Sequence, residues 1–334
     1  MTGRSASIRG AAALLLASAL FAQHTRPSPA ATSQPASAPP LELADFTQQP
    51  IIDESERDVP RLRIASASPS ITELCCALGL REWLVARTQY CTHPPGLEAL
   101  PSIGALTETN VETLLALRPD VVLLTDCSNA IRERLAPFKL RLVEMPVVKM
   151  DDLFTSIERL GDVAGRPKSA RRLAAAVREQ IAVVAAAHAG AAARHTLIVT
   201  DALTDPPAPP FVAGNASFYD DLLRSAGHRN AAPGGSPFAP ISLEYIVRTD
   251  PDVIIEIDAD GASRRKGDAD AIAVWRKIGP LSAVREQRVH VLIGPQHFLL
   301  GPRIATTMNE LLERIEPRAA RLPNQTAGRP NASP

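Results

Sequence analysis

Pro167 to Gly190 constrains this chain more than any other stretch. It reads PKSARRLAAAVREQIAVVAAAHAG, strong helix formers with few breakers. Pro167 opens it, where a missing N–H costs nothing, and Gly190 sits just past its end. Leu173, Val177, Ile181 and Val184 follow at steps of four, four and three, one apolar stripe along a helix. At 1.5 Å per residue such a helix runs roughly 33 Å, about the width of a small domain. The chain on either side repeats. Asn110-Val111-Glu112 leads through a short helix to Pro119-Asp120-Val121-Val122. Ser242-Leu243-Glu244 leads likewise to Pro251-Asp252-Val253-Ile254. Each block is a polar cap, an early Glu, a helix ended by Pro and a β-branched strand. Two such blocks flanking one long helix predict two similar lobes braced by a rod.

Strand and helix signals alternate on both sides, which implies parallel sheets covered on both faces. The expected fold is therefore α/β: two doubly wound parallel-sheet lobes joined by one long rigid helix. The chain's 334 residues suffice for both lobes. Residues 1–22 read as a secretory signal, with Arg4 and Arg9 before the apolar run Ala11–Phe21 and small residues at Ala17, Ala19 and Ala22. No Cys lies near that cleavage region, so the expectation is a periplasmic protein that is not a lipoprotein. Residues 23–50 read as a disordered leader rich in Pro, Ala and Ser. The first lobe follows over 51–166, the helix over 167–190 and the second lobe over 191–316, with a disordered tail over 317–334. Ligands of open α/β sheets bind at the carboxyl ends of strands, here the long loops 89–104, 204–214, 233–242 and 294–302.

Lys plus Arg number 36 and so do Asp plus Glu, so net charge makes no case for nucleic acid or anionic membrane. Export makes disulfides plausible among Cys75, Cys76, Cys91 and Cys127. Four cysteines allow three pairings. Cys91 and Cys127 each follow a predicted parallel strand and share one rim, which favours that pair. Cys75 shares a helix face with Ile71, Leu74 and Leu78 and reads as a core thiol. No cysteine spacing resembles a zinc site. The chain contains no G-x-S-x-G, P-loop, G-x-G-x-x-G or H-E-x-x-H motif. Glu108, Asp126 and Asp201 lie near strand ends without a defined pairing, so the chain is not read as an enzyme.

SPSITELCCALGL, followed by LVARTQYCTHPPGLEALPSIGALTETNVETLLALRPDVVLL, resembles the cobalamin and iron-siderophore periplasmic binding proteins of ABC importers. The likeness runs from about Ile51 to about Glu316. The Tyr90-Cys91-x-x-Pro94-Pro95 loop and Gly301-Pro302-Arg303 look most like the cobalamin branch. The resemblance implies the class III fold, a monomer, no resident cofactor, a cobalt corrinoid as cargo and a membrane permease as partner. Glu112 and Glu244 match a family pair that meets arginines on the permease. The reading from residues alone is a solvated first-turn Glu favoured by the helix dipole. Tyr90, Phe211 and Phe238 match aromatic positions around the corrin. For both Phe residues core packing is the other reading. Where the best-known cobalamin binders place Trp, this chain has Leu106 and Thr125, leaving less ring area for stacking.

Arg303 starts the last helix at the cleft edge, set either to bind a ligand or to pair internally. His93 and His297 also lie in cleft loops and read as surface or structural residues, with no metal site expected. The rival ligand for the same fold is a ferric siderophore or haem, and a minor alternative is an exported enzyme or signalling module. Siderophore pockets favour Arg, Lys and Tyr, whereas a corrin favours apolar and aromatic walls.

Overall fold

The alternation closes into two sheets, one on each side of a single long helix. The computed structural model describes residues 39–105, 108–125, 129–259, 261, 265 and 267–318, all within one unit spanning 37–334. The signal segment and most of the leader and tail lie outside the described residues.

The first lobe runs β1 (Ile64–Ser66), α1 (Pro69–Ala77), β2 (Leu84–Ala86), α2 (Val111–Ala116), β3 (Val121–Thr125), α3 (Asn129–Leu135), β4 (Leu142–Met145) and α4 (Met150–Ala164). Its strands lie in the order β2-β1-β3-β4, all parallel. The order reverses between β1 and β3, which opens a crevice at their carboxyl ends. The Val-Val-Leu-Leu run of β3 is buried on both faces: Val121 and Leu123 join one apolar cluster, Val122 and Leu124 another. That two-sided burial is why the strand reads as a continuous apolar run.

Helix α5 (Pro167–Ala187) is the rod. Its stripe is buried at Leu173, Val177 and Val184, with Ile181 packed at the edge. Gly165 ends α4 in the left-handed region, at φ +68°, which lets Pro167 start α5 after a tight corner. Gly161 brings the two helices together: a Cβ there would stand 2.4 Å from the Ala170 side chain. At the far end the buried His188 lies 3.2 Å from Asn309 and 3.7 Å from Glu313. Both partners belong to α10 (Ile304–Ile315) of the second lobe, so the rod is fastened to each lobe.

The second lobe comprises β5 (His195–Val199), β6 (Phe211–Ala213), α6 (Phe218–Ser225), β7 (Arg229–Asn230), β8 (Phe238–Pro240), α7 (Leu243–Thr249), β9 (Val253–Asp258), α8 (Asp268–Trp275), α9 (Ser282–Arg285), β10 (Val289–Ile293) and α10. Its main sheet has the order β10-β9-β5-β6-β8, with β7 paired to β5. Here the structure departs from an all-parallel sheet. Residues 211–213 and 238–240, expected as loop, form strands antiparallel to their neighbours. Each is three residues long with Pro nearby, too short to show a period. In the core of this lobe the fully buried Glu256 accepts from Leu203 N at 3.0 Å and Trp275 Nε1 at 2.7 Å, and pairs with Arg265.

The leader is also shorter than its composition suggests. Phe46 is buried in the main core, and Leu41, Leu43 and Ile51 pack against it. These apolar anchors, spaced among Pro and Ala, tie 41–56 down as a strap. Glu56 ends the strap at the rod: its carboxylate accepts from Lys168 N at 2.7 Å, Ser169 N at 2.9 Å and Ser169 Oγ at 2.7 Å. It thus satisfies first-turn amides for which Arg166 supplies no side-chain cap. Burial pushes the Glu56 carboxyl up, but the hydrogen bonds from Ser169 and Lys168 outweigh it and hold the group below its ordinary value. A depressed pKa contributes stability that is present above the ordinary value and lost as pH falls through the folded one. Glu56→Ala is expected to cost about 1–2 kcal/mol in denaturant melts at neutral pH. It should also flatten the loss of stability below about pH 4.5, the ordinary carboxylate value. An unchanged midpoint would remove Glu56 as the cap.

Candidate ligand-binding cleft

Tyr90 owes its position to its neighbour. After β2 the chain turns tightly, with Thr92 N donating to Tyr90 O at 3.0 Å and Cys91 N to Thr88 O at 3.2 Å. Cys91 points inward and is 1% exposed. Thr72 Oγ1 donates to its Sγ at 3.0 Å, and the Thr88 hydroxyl lies 3.1 Å away. With Cys91 nailed down, Tyr90 projects outward and is 59% exposed. Cys91 is a free thiol and not half of the expected disulfide; Cys127 lies outside the described residues. The rim position deduced from topology is right for the loop, but the tight turn directs this thiol into the core. Cys75 is a buried core thiol as read, with Cys76 beside it.

Facing Tyr90 across the cleft is the turn Pro295–Phe298 that follows β10. Two adjoining cavities lie between the lobes. One, of about 190 Å³, is lined by Glu73, Tyr90, Thr92, His93, Pro295 and Arg303, among others. The other, of about 360 Å³, shares Tyr90, Thr92 and Pro295 and adds Gln89, Ala259 and Ile293. The structure thus brings Tyr90 and Arg303 into one space.

Arg303 is paired within the protein. Its Nε donates to Glu73 Oε2 at 3.0 Å and its Nη2 to Glu73 Oε1 at 2.5 Å, a two-pronged bridge from the second lobe to α1 of the first. Burial pulls the guanidinium pKa down, but Glu73's hydrogen bonds and charge outweigh it, with Asp45 and Glu310 adding, so the value lies above the usual one. His93 Nε2 sits 2.9 Å from Asp45 Oδ2 and 2.8 Å from Thr47 Oγ1, both on the strap. His297 is buried and its pKa is lowered, chiefly by desolvation, so it is neutral near pH 7.

Phe211 and Phe238 do not line these cavities. The register Phe211↔Pro240 and Ala213↔Phe238 puts both rings on one face of the β6–β8 ribbon. Phe238 meets Tyr219 edge to face at 6.5 Å and Phe298 at 6.1 Å between ring centroids. Phe211 is half exposed and Phe298 is 44% exposed, so the ribbon carries a ring surface up to the cavity wall formed by the 295–298 turn. Thr125 ends β3 and is buried, opposite Met145 in register. Leu106 lies outside the described residues. Among those described, no cluster of three or more His, Cys, Asp or Glu is arranged to hold a metal, and no helix is long and apolar enough to cross a membrane.

Glu112 and Glu244 occupy the same place in the two halves. Asn110 accepts from Thr113 N at 2.9 Å and Ser242 Oγ from Tyr245 N at 3.1 Å, so each Glu is the second residue of a side-chain-capped helix. Both are exposed, and neither takes an ion-pair partner among the described residues.

The family model described as "Periplasmic binding protein" matches residues 64–294. The chain belongs to the periplasmic binding protein family. Within it, this binding protein is 26% identical over 262 residues to the vitamin B12-binding protein of Pectobacterium atrosepticum, covering 78% of this chain and 92% of the relative. It is also 26% identical to the uncharacterized ABC transporter substrate-binding lipoprotein YvrC of Bacillus subtilis, covering 92% of this chain and 96% of that one. Among solved structures it superposes on the apo periplasmic heme-binding protein RhuT of Roseiflexus sp. with a TM-score of 0.67 at 25% identity, over 78% of this chain and all of the other. The fold is therefore of the class III kind, that of a family of extracytoplasmic proteins that bind small ligands.

Sequence reasoning missed Glu73 as a cleft residue, Asp45 as the partner of His93 and Phe298 as the ring of the 295–298 turn. The one available signal was Glu73 itself, a charge amid the otherwise apolar and small residues of α1. The free-thiol assignment is checked by alkylating the unfolded, unreduced protein. Cys91 should be labelled along with Cys75 and Cys76, and all three should resist reagent in the native state, where burial raises the Cys75 and Cys76 thiols, Cys76 to about 12. A Cys91 labelled only after reduction would restore the disulfide.

Proposed function

We propose that this protein binds cobalamin or a related corrinoid between its lobes and delivers it to the membrane permease of an ABC importer. The observation that carries the reading is Tyr90, a half-exposed ring held over a cleft walled by the opposite lobe's 295–298 turn. A flat macrocycle offers such a ring a stacking partner. The vitamin B12-binding relative supports the corrinoid over other chelates. Phe298, Phe238 and Phe211 extend the aromatic surface on the second lobe. Leu106 and Thr125 stand at the two positions where the resemblance expects Trp.

In this reading the protein performs no chemistry on its cargo and acts as a monomer. Glu112 and Glu244 place one exposed charge on each lobe for the permease, which sets orientation and encounter rate more than affinity. Residues 1–22 direct export, and no cysteine precedes Cys75, so the leader offers no thiol for lipidation. The second reading is haem or another ferric chelate in the same cleft, favoured by the exposed Tyr90 phenol and by the heme-binding relative.

Titrating the purified protein with cyanocobalamin, ferric haem and a ferric hydroxamate, followed by absorbance and Trp fluorescence, decides between them. Cyanocobalamin should bind one to one, and Tyr90→Ala should weaken it roughly tenfold. No cobalamin binding at tens of micromolar, with tight binding of an iron chelate, would select the second reading. The double variant Glu112→Ala/Glu244→Ala should keep the wild-type Kd while uptake in a transport assay falls. A weakened Kd in that variant would place these residues in the ligand site instead.

A further inference from the structure

The two interlobe cavities have an unusual charge balance. Among their described lining residues only Glu73, His93 and Arg303 carry ionisable groups other than the Tyr90 phenol. Each basic group is already matched. Arg303 is held by both oxygens of Glu73, and His93 by Asp45. The charges of Asp45 and Glu310 also act on Arg303. The lining therefore offers no unmatched cation.

A ligand carboxylate accepting from Arg303 would either stand beside the Glu73 carboxylate as a second anion on one guanidinium or displace Glu73. Displacement would strand a carboxylate whose side chain is 3% exposed, a costly outcome for a buried charge. A neutral amide meets no such obstacle. Its N–H can donate to the second lone pairs of the Glu73 oxygens. Its carbonyl can accept from Arg303 Nη1, which makes no hydrogen bond among the described residues, while Nε and Nη2 both point to Glu73. The ion pair thus keeps both a donor N–H and acceptor lone pairs, the two kinds of group a carboxamide can match.

We propose that Glu73 is a specificity determinant: by neutralising Arg303 across the cleft, it selects macrocycles fringed with amides over those fringed with carboxylates. This rests on the corrinoid reading above and adds the side-chain chemistry of the preferred ligand.

The test compares cyanocobalamin with its monocarboxylic acids, in which one peripheral amide is hydrolysed, so that shape is kept and one charge is added. The wild type should bind the amide form about tenfold more tightly, the usual weight of one charge-assisted hydrogen bond. Glu73→Gln should bring that ratio to unity or invert it by freeing a cation. Arg303→Gln should widen it, because Glu73 is then an uncompensated anion. The double variant Glu73→Gln/Arg303→Gln should return near the wild-type ratio. Damage to the fold would not move two single variants in opposite directions, and if Glu73→Gln does not fold, the widening in Arg303→Gln decides. Ratios unmoved in the single variants, with cyanocobalamin still bound, overturn the role of Glu73 alone. Failure of the wild type to bind cyanocobalamin overturns the corrinoid reading and this inference with it.

Discussion

One helix bears on both lobes, and the cleft depends on its stiffness. Helix α5 is capped at its start by Glu56 from the strap, drawn against α4 through Gly161 and fastened at its end to α10 through His188. A continuous helix has no soft backbone position at which two lobes can swing widely, so closure is confined to small adjustments. The Glu73–Arg303 bridge adds a second tie between the lobes, inside the cleft. The two cavities are therefore bounded by a frame already set before any ligand arrives, which suits a rigid, flat solute.

Much of this frame was legible in the chain. Gly165-Arg166-Pro167 punctuates the junction so sharply that both α4 and the start of α5 are found where periodicity puts them. The matched caps Asn110 and Ser242 give equivalent helices in the two lobes. The losses have physical causes. β6 and β8 are short and Pro-flanked, and they gain strand geometry only from pairing with each other and with β5. The strap's composition mimics disorder, and only the burial of Phe46 and the reach of Glu56 to the rod reveal it as structure.

The site was less legible than the fold, because its decisive contacts are distant in sequence. Glu73 and Arg303 are 230 residues apart, and no local pattern joins them. Tyr90 was accessible from motif, but what projects it, the inward Cys91 held by Thr72 and Thr88, was read as a disulfide because both loops meet one rim. Phe211 and Phe238, placed in loops by composition, share one ribbon face, and Phe238 meets the 295–298 turn at Phe298.

These elements make one physical statement: a stiff rod fixes two lobes so that Tyr90 and the 295–298 turn face each other across the gap in which we propose that a flat macrocycle binds. The crystal structure of the protein grown with cyanocobalamin tests it most directly. The account predicts density for the corrin ring against Tyr90 between the lobes, with α5 straight and its caps intact. A macrocycle bound elsewhere on the surface, or a bent α5 with the lobes swung apart, would contradict it.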